Sequence, residues 1–465
     1  MGIDLRIAGG DVVLPGGRRR ADVLVEDGKI AGIVGPGLEL SEVGRTVDAT
    51  GRLVLPGMVD PHVHTREPGF THKEDITTTG LAAAAGGVTT IFGMPNLQPP
   101  TSSARLLDEV LELYAQKSVV DYNHNPAATD PDEIVPMAER GIRAFKIFMV
   151  VDTGRTYPHP AGTGMHNHGD LLKTMDLIAP TGLPFMIHPH DQALMDYIEG
   201  GYLGRGENTP QAYAQAYAER QGVIWDTACD VLIRLAEASD CHVHLLHMQT
   251  VRSIDAVRRA KARGVKITCE VNHWAPFLST WELVERLGPY VLSYWIPDDA
   301  RAAVWEGLND GTIDMLSSDH APHTREEKEV GWEKMWSAHT GTPGIQYQLP
   351  LLIEAAGEGK LSLERAVALT AHRPAEVFGL KDVKGALEVG LDADIAVLDP
   401  DHPWTITNDG DLSRCGWTPY DGRDCRVAVE RTFLRGTEIY ADGVVTGVPG
   451  GGRMATAPAV ATAAN

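Results

Sequence analysis

The sequence is poor in cysteine, and its cysteines follow no pairing pattern. Five cysteines are scattered along 465 residues, and none forms a Cys-X-X-Cys pair. An odd number of scattered cysteines argues against a disulfide framework and fits free thiols in a reducing compartment. A chain of this length can bury a hydrophobic core without such crosslinks.

Basic charge is also scarce. The 41 lysines and arginines are outnumbered by 63 aspartates and glutamates, which gives a formal net charge of -22. Because nucleic-acid binding needs a basic footprint, we expect no nucleic-acid partner. An anionic small molecule is not excluded, since one arginine in a pocket can bind an anion beneath a negative overall field.

Long apolar runs are missing as well. No uncharged stretch approaches the roughly 20 apolar residues that a membrane helix needs. The N-terminus has no basic stretch followed by an apolar one, which is the pattern of a signal peptide. We therefore expect no membrane partner and a cytoplasmic location.

The patterns that are present divide the chain into four segments. Short alternating strands with Gly and Pro turns occupy residues 1–57 and return at 384–446. Over residues 58–383 an apolar strand with a polar end, followed by a helix, recurs many times. Residues 447–465 are rich in Gly and Ala and predict an extended or disordered tail.

This layout predicts an α/β fold: a (β/α)8 barrel at 58–383 beside a small β-sandwich formed from both chain ends. A doubly wound parallel sheet would show a similar repeat. The barrel is favoured because polar side chains end many different strands, and barrel active sites gather at the C-terminal ends of the strands.

The motif Asp60-Pro-His62-Val-His64-Thr-Arg66 follows the apolar run LVLPGMV. Two histidines at positions i and i+2 of a strand point to the same face, so at a strand end both can bind one metal ion. In isolation, the same pattern could equally be a pair of core or surface histidines.

Four further polar residues end other predicted strands or lie within them: His188, His247, Asp319 and Lys146. Neutral imidazoles and carboxylates are the ligands of a zinc-like ion that activates water. Lys146 lies among five apolar neighbours in the segment AFKIFM, so it must lower its pKa, pair with a charge or be modified. A lysine that reaches solvent from a strand end is the structural alternative.

Seven ordered segments, spread from about residue 3 to 446, carry a family resemblance. They are DPHVHTREPG, GVTTIFGMPN, FKIFM, MIHPH, HLLHMQT, SSDHAPHTREEK and LDADIAVLDP. Together they resemble the amidohydrolase superfamily and, within it, the cyclic amidases: dihydroorotase, allantoinase, hydantoinase and dihydropyrimidinase.

The resemblance implies a metal-dependent hydrolase that opens a cyclic amide, imide or ureide ring through a hydroxide held between two divalent ions, by default zinc. The implied metal ligands are His62, His64, Lys146, His188, His247 and Asp319. The first two histidines would bind one ion and the last two the other. Lys146, carboxylated by CO2, would bridge both ions. Asp319 would bind the first ion and carry the essential proton to the leaving nitrogen.

For the substrate, the resemblance to dihydroorotases implies a carboxylate held by Arg66, Asn96 and His323. A guanidinium fork can bind a carboxylate through two hydrogen bonds. The structural alternatives are an ion pair between Arg66 and Glu67, a turn residue at Asn96 and a loop hydrogen bond at His323.

Several segments depart from the dihydroorotase pattern and indicate a reshaped pocket. The segment Ser293–Asp299 stands where an Asn-Pro-Pro-Leu-Arg type stretch is expected, Val150 and Val151 follow the FKIFM strand, and His188-Pro-His190 replaces His-Ala-Glu. The loop 152–170 is long and rich in histidine. It could form a lid or remain solvent-exposed, and its candidate polar residues are Tyr157, His159, His166 and His168.

Two other functions fit parts of the pattern. A one-metal deaminase of the same superfamily would not need Lys146. A non-catalytic scaffold like the dihydropyrimidinase-like proteins would have lost metal ligands, whereas this chain has the full set. The resemblance also implies a homo-oligomer, a dimer or a tetramer.

Overall fold

The structure is a computed structural model that describes residues 2–150, 161–292 and 298–457, without the side chains of residues 298 and 299. Its strands are β1 Ile3–Leu14, β2 Gly17–Glu26, β3 Lys29–Val34, β4 Val43–Asp48, β5 Leu53–Pro56, β6 Met58–Val63, β7 Val88–Gly93, β8 Asp121–His124, β9 Phe145–Phe148, β10 Phe185–His188, β11 Val243–Leu245, β12 Ile267–Asn272, β13 Met315–Ser317, β14 Ile395–Asp399, β15 Trp404–Thr405, β16 Asp424–Cys425, β17 Ala428–Leu434, β18 Thr437–Ala441 and β19 Val444–Val445.

The α-helices are α1 Ile76–Ala85, α2 Ala104–Lys117, α3 Ile134–Ala138, α4 His168–Ile178, α5 Gln192–Gly204, α6 Pro210–Ala218, α7 Val223–Ser239, α8 Val251–Ala262, α9 Trp274–Leu278, α10 Trp281–Leu287, α11 Asp298–Asp310, α12 Arg325–Glu329, α13 Gly331–Lys334, α14 Gln348–Gly357, α15 Leu363–Val367 and α16 Arg373–Val377. Single 3₁₀ turns lie at Pro131–Glu133, Ala179–Thr181, Glu219–Gln221, Gly288–Tyr290, Met335–Ser337 and Asn408–Gly410, and a π-helical turn, Ala368–His372, joins α15 to α16. Within the described ranges, no helix combines the length and the apolarity that crossing a bilayer requires.

Strands β6 to β13 form a closed parallel barrel. β6, β7 and β8 pair in one parallel set, and β9 to β13 pair in a second. Two parallel bridges join the sets, Ala127 with Lys146 and Val63 with His320. These strands are buried throughout, as expected for a parallel sheet that is covered on both faces. The predicted barrel is confirmed.

Helices cover the outside of the barrel, and their sequences show why. In α2, the side chain of Ser103 caps the first turn by accepting a hydrogen bond from the Leu106 amide. Leu107, Val110 and Tyr114 recur on one face and are buried, while the charged positions face outward.

The remaining strands form the predicted β-sandwich from both chain ends. They hydrogen-bond in the order β19-β18-β17-β14-β5-β1-β2-β3, and β4 pairs with β1 off this path. A register shift between Ile7 and Gly10 divides β1, which pairs with β4 before the shift and with β5 after it. The layers enclose their own apolar core, which includes Val23, Val397 and Phe433. The exact domain boundaries at 57–58 and 383–384 stay predictions.

The described part of the tail is extended and lies along the barrel. The Tyr122 amide donates to the carbonyl of Arg453, and the Ala455 amide donates to the carbonyl of Tyr122. The backbones approach so closely that a Cβ at Gly452 would lie 1.9 Å from the Val120 carbonyl oxygen, so this position requires glycine. Residues 458–465 lie outside the described part of the chain.

Candidate metal centre

The six predicted ligands come from five different barrel strands, and all but Lys146 lie at or just beyond the C-terminal end of their strand. His62 lies in β6 and His64 one residue beyond it, Lys146 lies in β9, and His188 ends β10. His247 and Asp319 each follow their strand by two residues. All six side chains are buried. Parallel strands that close a barrel bring such residues to one rim, where barrel enzymes place their catalytic groups.

Asp319 joins the two histidines of the motif. Its Oδ1 lies 3.2 Å from Nε2 of His62 and 3.2 Å from Nε2 of His64. The ligand atoms of these three residues lie within 4.8 Å of one another, close enough to hold one ion. The two-residue period of a strand accounts for the shared direction of His62 and His64.

A row of imidazoles connects the first group of candidate ligands, which contains His62 and His64, to a second group formed by His247 and His188. The ring centroids are 5.3 Å apart for His62 and His64, 4.9 Å for His62 and His247, and 5.0 Å for His247 and His188. Nδ1 of His247 also lies 3.6 Å from Oδ2 of Asp319. Asp319 therefore lies beside both groups of histidines.

Three residues at this rim adopt left-handed backbone conformations that are unusual outside glycine. The φ angles are 59° at Arg66, 55° at His247 and 43° at Asp319. Such conformations cost free energy and persist where surrounding bonds fix them, often at functional sites.

Buried Asp60 supplies part of that support by joining the first and last barrel strands. Its Oδ1 accepts from the backbone amides of His62, at 3.2 Å, and Ser318, at 3.1 Å. Its Oδ2 accepts from the side-chain amide of Gln348 at 2.8 Å. Desolvation raises the pKa of the Asp60 carboxyl, although these hydrogen bonds act to lower it. The carboxyl thus holds His62 and the residue before Asp319 at fixed positions.

In three of the histidines, the ring nitrogen Nδ1 is hydrogen-bonded to a side-chain oxygen. Nδ1 of His62 lies 2.5 Å from Oε1 of Glu270, and Nδ1 of His64 lies 2.7 Å from Oδ1 of Asn96. Nδ1 of His247 donates to Oδ1 of Asn272. Since these oxygens accept, each Nδ1 carries the proton, and Nε2 is the nitrogen that can bind a metal ion.

Glu270 and Asn272 were not among the predicted site residues. They end β12 at positions i and i+2, so both point into the barrel. The side-chain amide of Asn272 donates to Oε1 of Glu270 at 3.2 Å and to the hydroxyl of Ser317 at 2.8 Å, which fixes its orientation. A carboxylate and an amide two residues apart at the end of an apolar strand are the signal that could have found them.

Burial keeps the imidazoles of His64 and His247 neutral, which is the form that binds metals. Desolvation lowers the pKa of His247 to about 3. Desolvation and the nearby Arg66 hold the pKa of His64 well below its usual range. Burial alone would raise the pKa of Glu270, but the contacts with His62 and His244 hold it well below its ordinary value. Imidazoles and a carboxylate are a suitable ligand set for a zinc-like ion.

Lys146 is buried, and the solvent-reaching alternative does not describe its position. Among the described residues, no group accepts a hydrogen bond from its Nζ. That nitrogen lies 4.0 Å from the ring centroid of Phe148. Desolvation lowers the pKa of Lys146 to about 7, although the charges of Asp319 and Glu270 act to raise it. A large fraction of the side chain is therefore a neutral, nucleophilic amine near pH 7.

Two of the three predicted substrate-binding residues, Arg66 and His323, lie in direct contact, and the third, Asn96, contacts His64. Nη2 of Arg66 lies 3.2 Å from Nε2 of His323, and Nε of Arg66 donates to the Pro322 carbonyl at 3.2 Å. Glu67, the acid considered as an alternative partner of Arg66, accepts a hydrogen bond from Nζ of Lys117.

Arg66 belongs to a buried group of cations, the cationic cluster, formed by Arg66, Lys73 and Lys328 around Glu327. Nζ of Lys73 lies 2.7 Å from Oε1 of Glu327 and 3.3 Å from Nδ1 of His323. Lys328 donates to the carbonyls of His339 and Gly341, both at 2.9 Å. Desolvation and the Arg66 charge hold the pKa of His323 well below its usual range, so it adds no charge. Desolvation lowers the pKa of Lys328 to about 7, so it adds only part of a positive charge. Arg66 and Lys73 share the single carboxylate of Glu327, which still leaves the cluster with an excess of positive charge.

The loop 152–170 and the segments that depart from the dihydroorotase pattern were also singled out in the sequence. Tyr157 and His159 lie outside the described residues, and so does most of the departing segment at 293–299. His166 and His168 are exposed, with His168 at the start of α4. His190, from the changed His-Pro-His segment, is fully buried beside His188.

Comparisons with known proteins place this geometry in a family context. The sequence model of the amidohydrolase family matches residues 53–439. The chain is 34% identical to a dihydroorotase of Methanosarcina acetivorans, over 94% of this chain and 92% of that one. It is 33% identical to an allantoinase of Bacillus velezensis, over 95% of each chain. It superposes on the structure of an L-hydantoinase (dihydropyrimidinase) from Arthrobacter aurescens with a TM-score of 0.91 and 28% identity, covering 98% of this chain and 100% of that one.

Proposed function

The chain belongs to the amidohydrolase family, among hydrolases of cyclic amides, and from this premise we propose that it opens a cyclic amide, imide or ureide ring with the help of two divalent metal ions. The observation that carries the proposal is the position of Asp319, within 3.2 Å of His62 and His64 and 3.6 Å of His247. One carboxylate thereby lies at Nε2 of both motif histidines and beside the ring of His247.

The donor set fits two ions. His62, His64 and Asp319 would hold the first ion, by default zinc, and His188 and His247 the second. The Lys146 amine would attack CO2, forming an N–C bond and releasing one proton. The resulting carbamate would be an anion, and its oxygens would be further ligands for the two ions. The low pKa of Lys146 supports this step because only the neutral amine is nucleophilic.

The protein residues then divide the work of ring opening. Bound metal ions would supply activation of water and polarisation of the ring carbonyl. Asp319 would accept the proton of the attacking water and deliver it to the departing ring nitrogen, which leaves poorly without it. Asp60, Glu270, Asn96 and Asn272 would keep the ligands at fixed positions during this transfer.

We further propose that the ring carries a carboxylate. The cationic cluster has more positive than negative charge in a buried setting, which an anionic group of the substrate would balance. Arg66, two residues beyond His64, would bind that group through its guanidinium fork, and His323 lies beside it. A neutral ring remains the second candidate, since the similar L-hydantoinase structure is also named dihydropyrimidinase.

The test combines metal analysis with a substrate screen. Two ions per purified chain would support the dinuclear hydrolase, one would favour a deaminase and none a scaffold. Mass spectrometry of the intact chain should show the added mass of one CO2, which the Lys146→Ala variant should lack. The screen would compare dihydroorotate with hydantoins, dihydrouracil, allantoin and simple cyclic imides. Hydrolysis of none of these rings would contradict the proposal.

Two properties outside the site complete the proposal. We propose a cytoplasmic enzyme that forms a dimer or a tetramer, as the family resemblance implies. Light scattering of the purified protein measures the oligomeric state directly, and a monomer would contradict this part.

A further inference from the structure

His188, in the second group of candidate ligands, differs from the other three histidines in the partner of its imidazole. Oxygen atoms of Glu270, Asn96 and Asn272 accept from His62, His64 and His247. Nε2 of His188 contacts another imidazole, that of His190. We infer that His190 is a positioning residue for the second metal site, which acts by fixing the orientation and proton position of His188. This inference rests on the proposed two-metal function.

The contact between the two rings is direct and buried. Nε2 of His188 lies 2.9 Å from Nδ1 of His190, and the ring centroids are 4.2 Å apart at an interplanar angle of 81°. Both side chains are fully buried. The backbone amide of His190 also donates to the His188 carbonyl at 3.2 Å, so a tight turn after β10 holds both residues.

Aromatic side chains fix the ring of His190 in turn. The ring of Trp225, in α7, lies with its centroid 3.8 Å away, and the ring of Tyr217, in α6, lies 5.7 Å away. The hydroxyl of Tyr217 donates to Oε1 of Glu199 at 2.9 Å, which holds that ring in place as well. His190 is therefore a well-supported partner for His188.

Only one arrangement of protons in this pair permits His188 to bind a metal ion. A neutral imidazole carries one N–H, and a metal ion binds the other nitrogen. If Nε2 of His188 donates to Nδ1 of His190, then Nδ1 of His188 is the metal-binding atom. The reverse arrangement would place a hydrogen on Nδ1 of His188 and exclude the ion. Metal binding at His188 thus requires that Nδ1 of His190 accepts a hydrogen bond.

The identity of the acceptor has a consequence for affinity. A carboxylate such as Glu270 makes the imidazole that donates to it a stronger ligand, whereas an uncharged imidazole acceptor gives less of this effect. We therefore expect the second ion to be held more weakly than the first and to depend on His190.

Two variants separate the hydrogen bond from packing. In His190→Asn, the side-chain oxygen can take the place of Nδ1, as in the contacts that Asn96 and Asn272 make. In His190→Phe, a ring still packs against Trp225, but the acceptor is lost. Titration of the metal-free proteins with Zn²⁺ in competition with a chelator measures the affinity for each ion.

We expect His190→Phe to weaken binding of the second ion by about 10–100-fold, the usual effect of losing such a partner. His190→Asn should stay close to the parent protein, and the first ion should bind alike in all three. Parent-like affinity in His190→Phe, or equal losses in both variants, would overturn the inference. His190→Leu replaces the phenylalanine variant if the latter does not fold. A parent protein that binds a single ion would instead overturn the two-metal function, so the two failures are distinguishable.

Discussion

Two buried lysines, Lys146 and Lys384, show how differently one fold can use the same side chain. Lys384 has three carboxylate partners: its Nζ lies 2.6 Å from Asp121, 2.6 Å from Asp394 and 3.1 Å from Asp392. Lys146 has the ring of Phe148 beside its Nζ and, among the described residues, no hydrogen-bond acceptor.

The electrostatic consequences are opposite. Burial alone would lower the pKa of Lys384, but the three carboxylates raise it above the ordinary value. Desolvation lowers the pKa of Lys146 to about 7. Lys384 therefore stays an ammonium that ties the barrel strand β8 to the segment before β14, whereas Lys146 is available for chemistry. Burial by itself does not set the charge of a lysine. Carboxylates within hydrogen-bond distance of Nζ keep Lys384 charged, whereas Asp319 and Glu270 act on Lys146 without a hydrogen bond to its Nζ.

Lys146→Ala is the strongest test of this comparison. We expect turnover to fall below detection and the metal content to fall with it, because the variant loses the proposed bridging group. The measurements are kcat and metal content per chain. Lys384→Met is the matched control, and the fraction of it that folds should keep its metal ions. Full activity of Lys146→Ala would refute the role of this residue.

Asp319→Asn keeps the size of the side chain but removes the proton acceptor. We expect kcat to fall by about 10²–10⁴-fold, the range that general acid–base groups contribute. The carbamate should remain detectable by mass, because Lys146 is unchanged. An unchanged kcat in a variant that still binds metal would show that another group carries the proton.

Lys384→Met should affect stability rather than chemistry. Removal of one partner from a buried ionic cluster typically costs about 3–5 kcal/mol, since buried carboxylates lose their counter-charge. Denaturant unfolding measures this loss. Arg45→Met, which breaks the half-exposed pair with Glu438, is the control and should cost less than about 1 kcal/mol.

The pH dependence of the Lys384 contribution has a definite sign. Because the pKa of Lys384 is raised on folding, its contribution is fully present below the unfolded value, about 10.4, and is lost as the pH rises through the folded value. The difference in unfolding free energy between parent and Lys384→Met should therefore be constant from pH 7 to about pH 9. A difference that vanished in this range would contradict the assignment.

Arg66→Ala should have the smallest and most selective effect. Hydrogen bonds to charged groups contribute about 1.5–3 kcal/mol, so KM for acidic rings should rise by about 10–100-fold. KM for neutral rings should stay unchanged, which makes the second substrate class the internal control. Equal changes for both classes would remove the case for a carboxylate pocket.

Much of this organisation could be predicted from the sequence. The barrel and the sandwich are confirmed, because strand–helix repeats and turn residues are local signals. Residues His62, His64 and Asp319 do lie together, and the rule that barrel sites gather at strand ends was sufficient for this expectation. Their roles as metal ligands stay predictions.

The supporting partners could not be predicted in the same way. The contact of His62 with Glu270 spans 208 residues and depends on the side chains that a distant strand presents to the barrel interior. The pairing of Lys384 with Asp121 likewise joins segments far apart in sequence. The oxygen of Asn96 accepts from His64, a contact that follows from the path of the loop after β7, while the predicted substrate contact of Asn96 stays a prediction.

The backbone of Lys146 lies at one of the two bridges that close the barrel. Its amide donates to the Pro126 carbonyl and its own carbonyl accepts from the Ala128 amide, while the opposite edge of β9 pairs with β10. The main chain of Lys146 is thus anchored on two sides at the point where the ring of strands closes. If Lys146 is carboxylated as proposed, gain or loss of CO2 at Nζ would change the charge at the centre while this backbone anchorage stays in place.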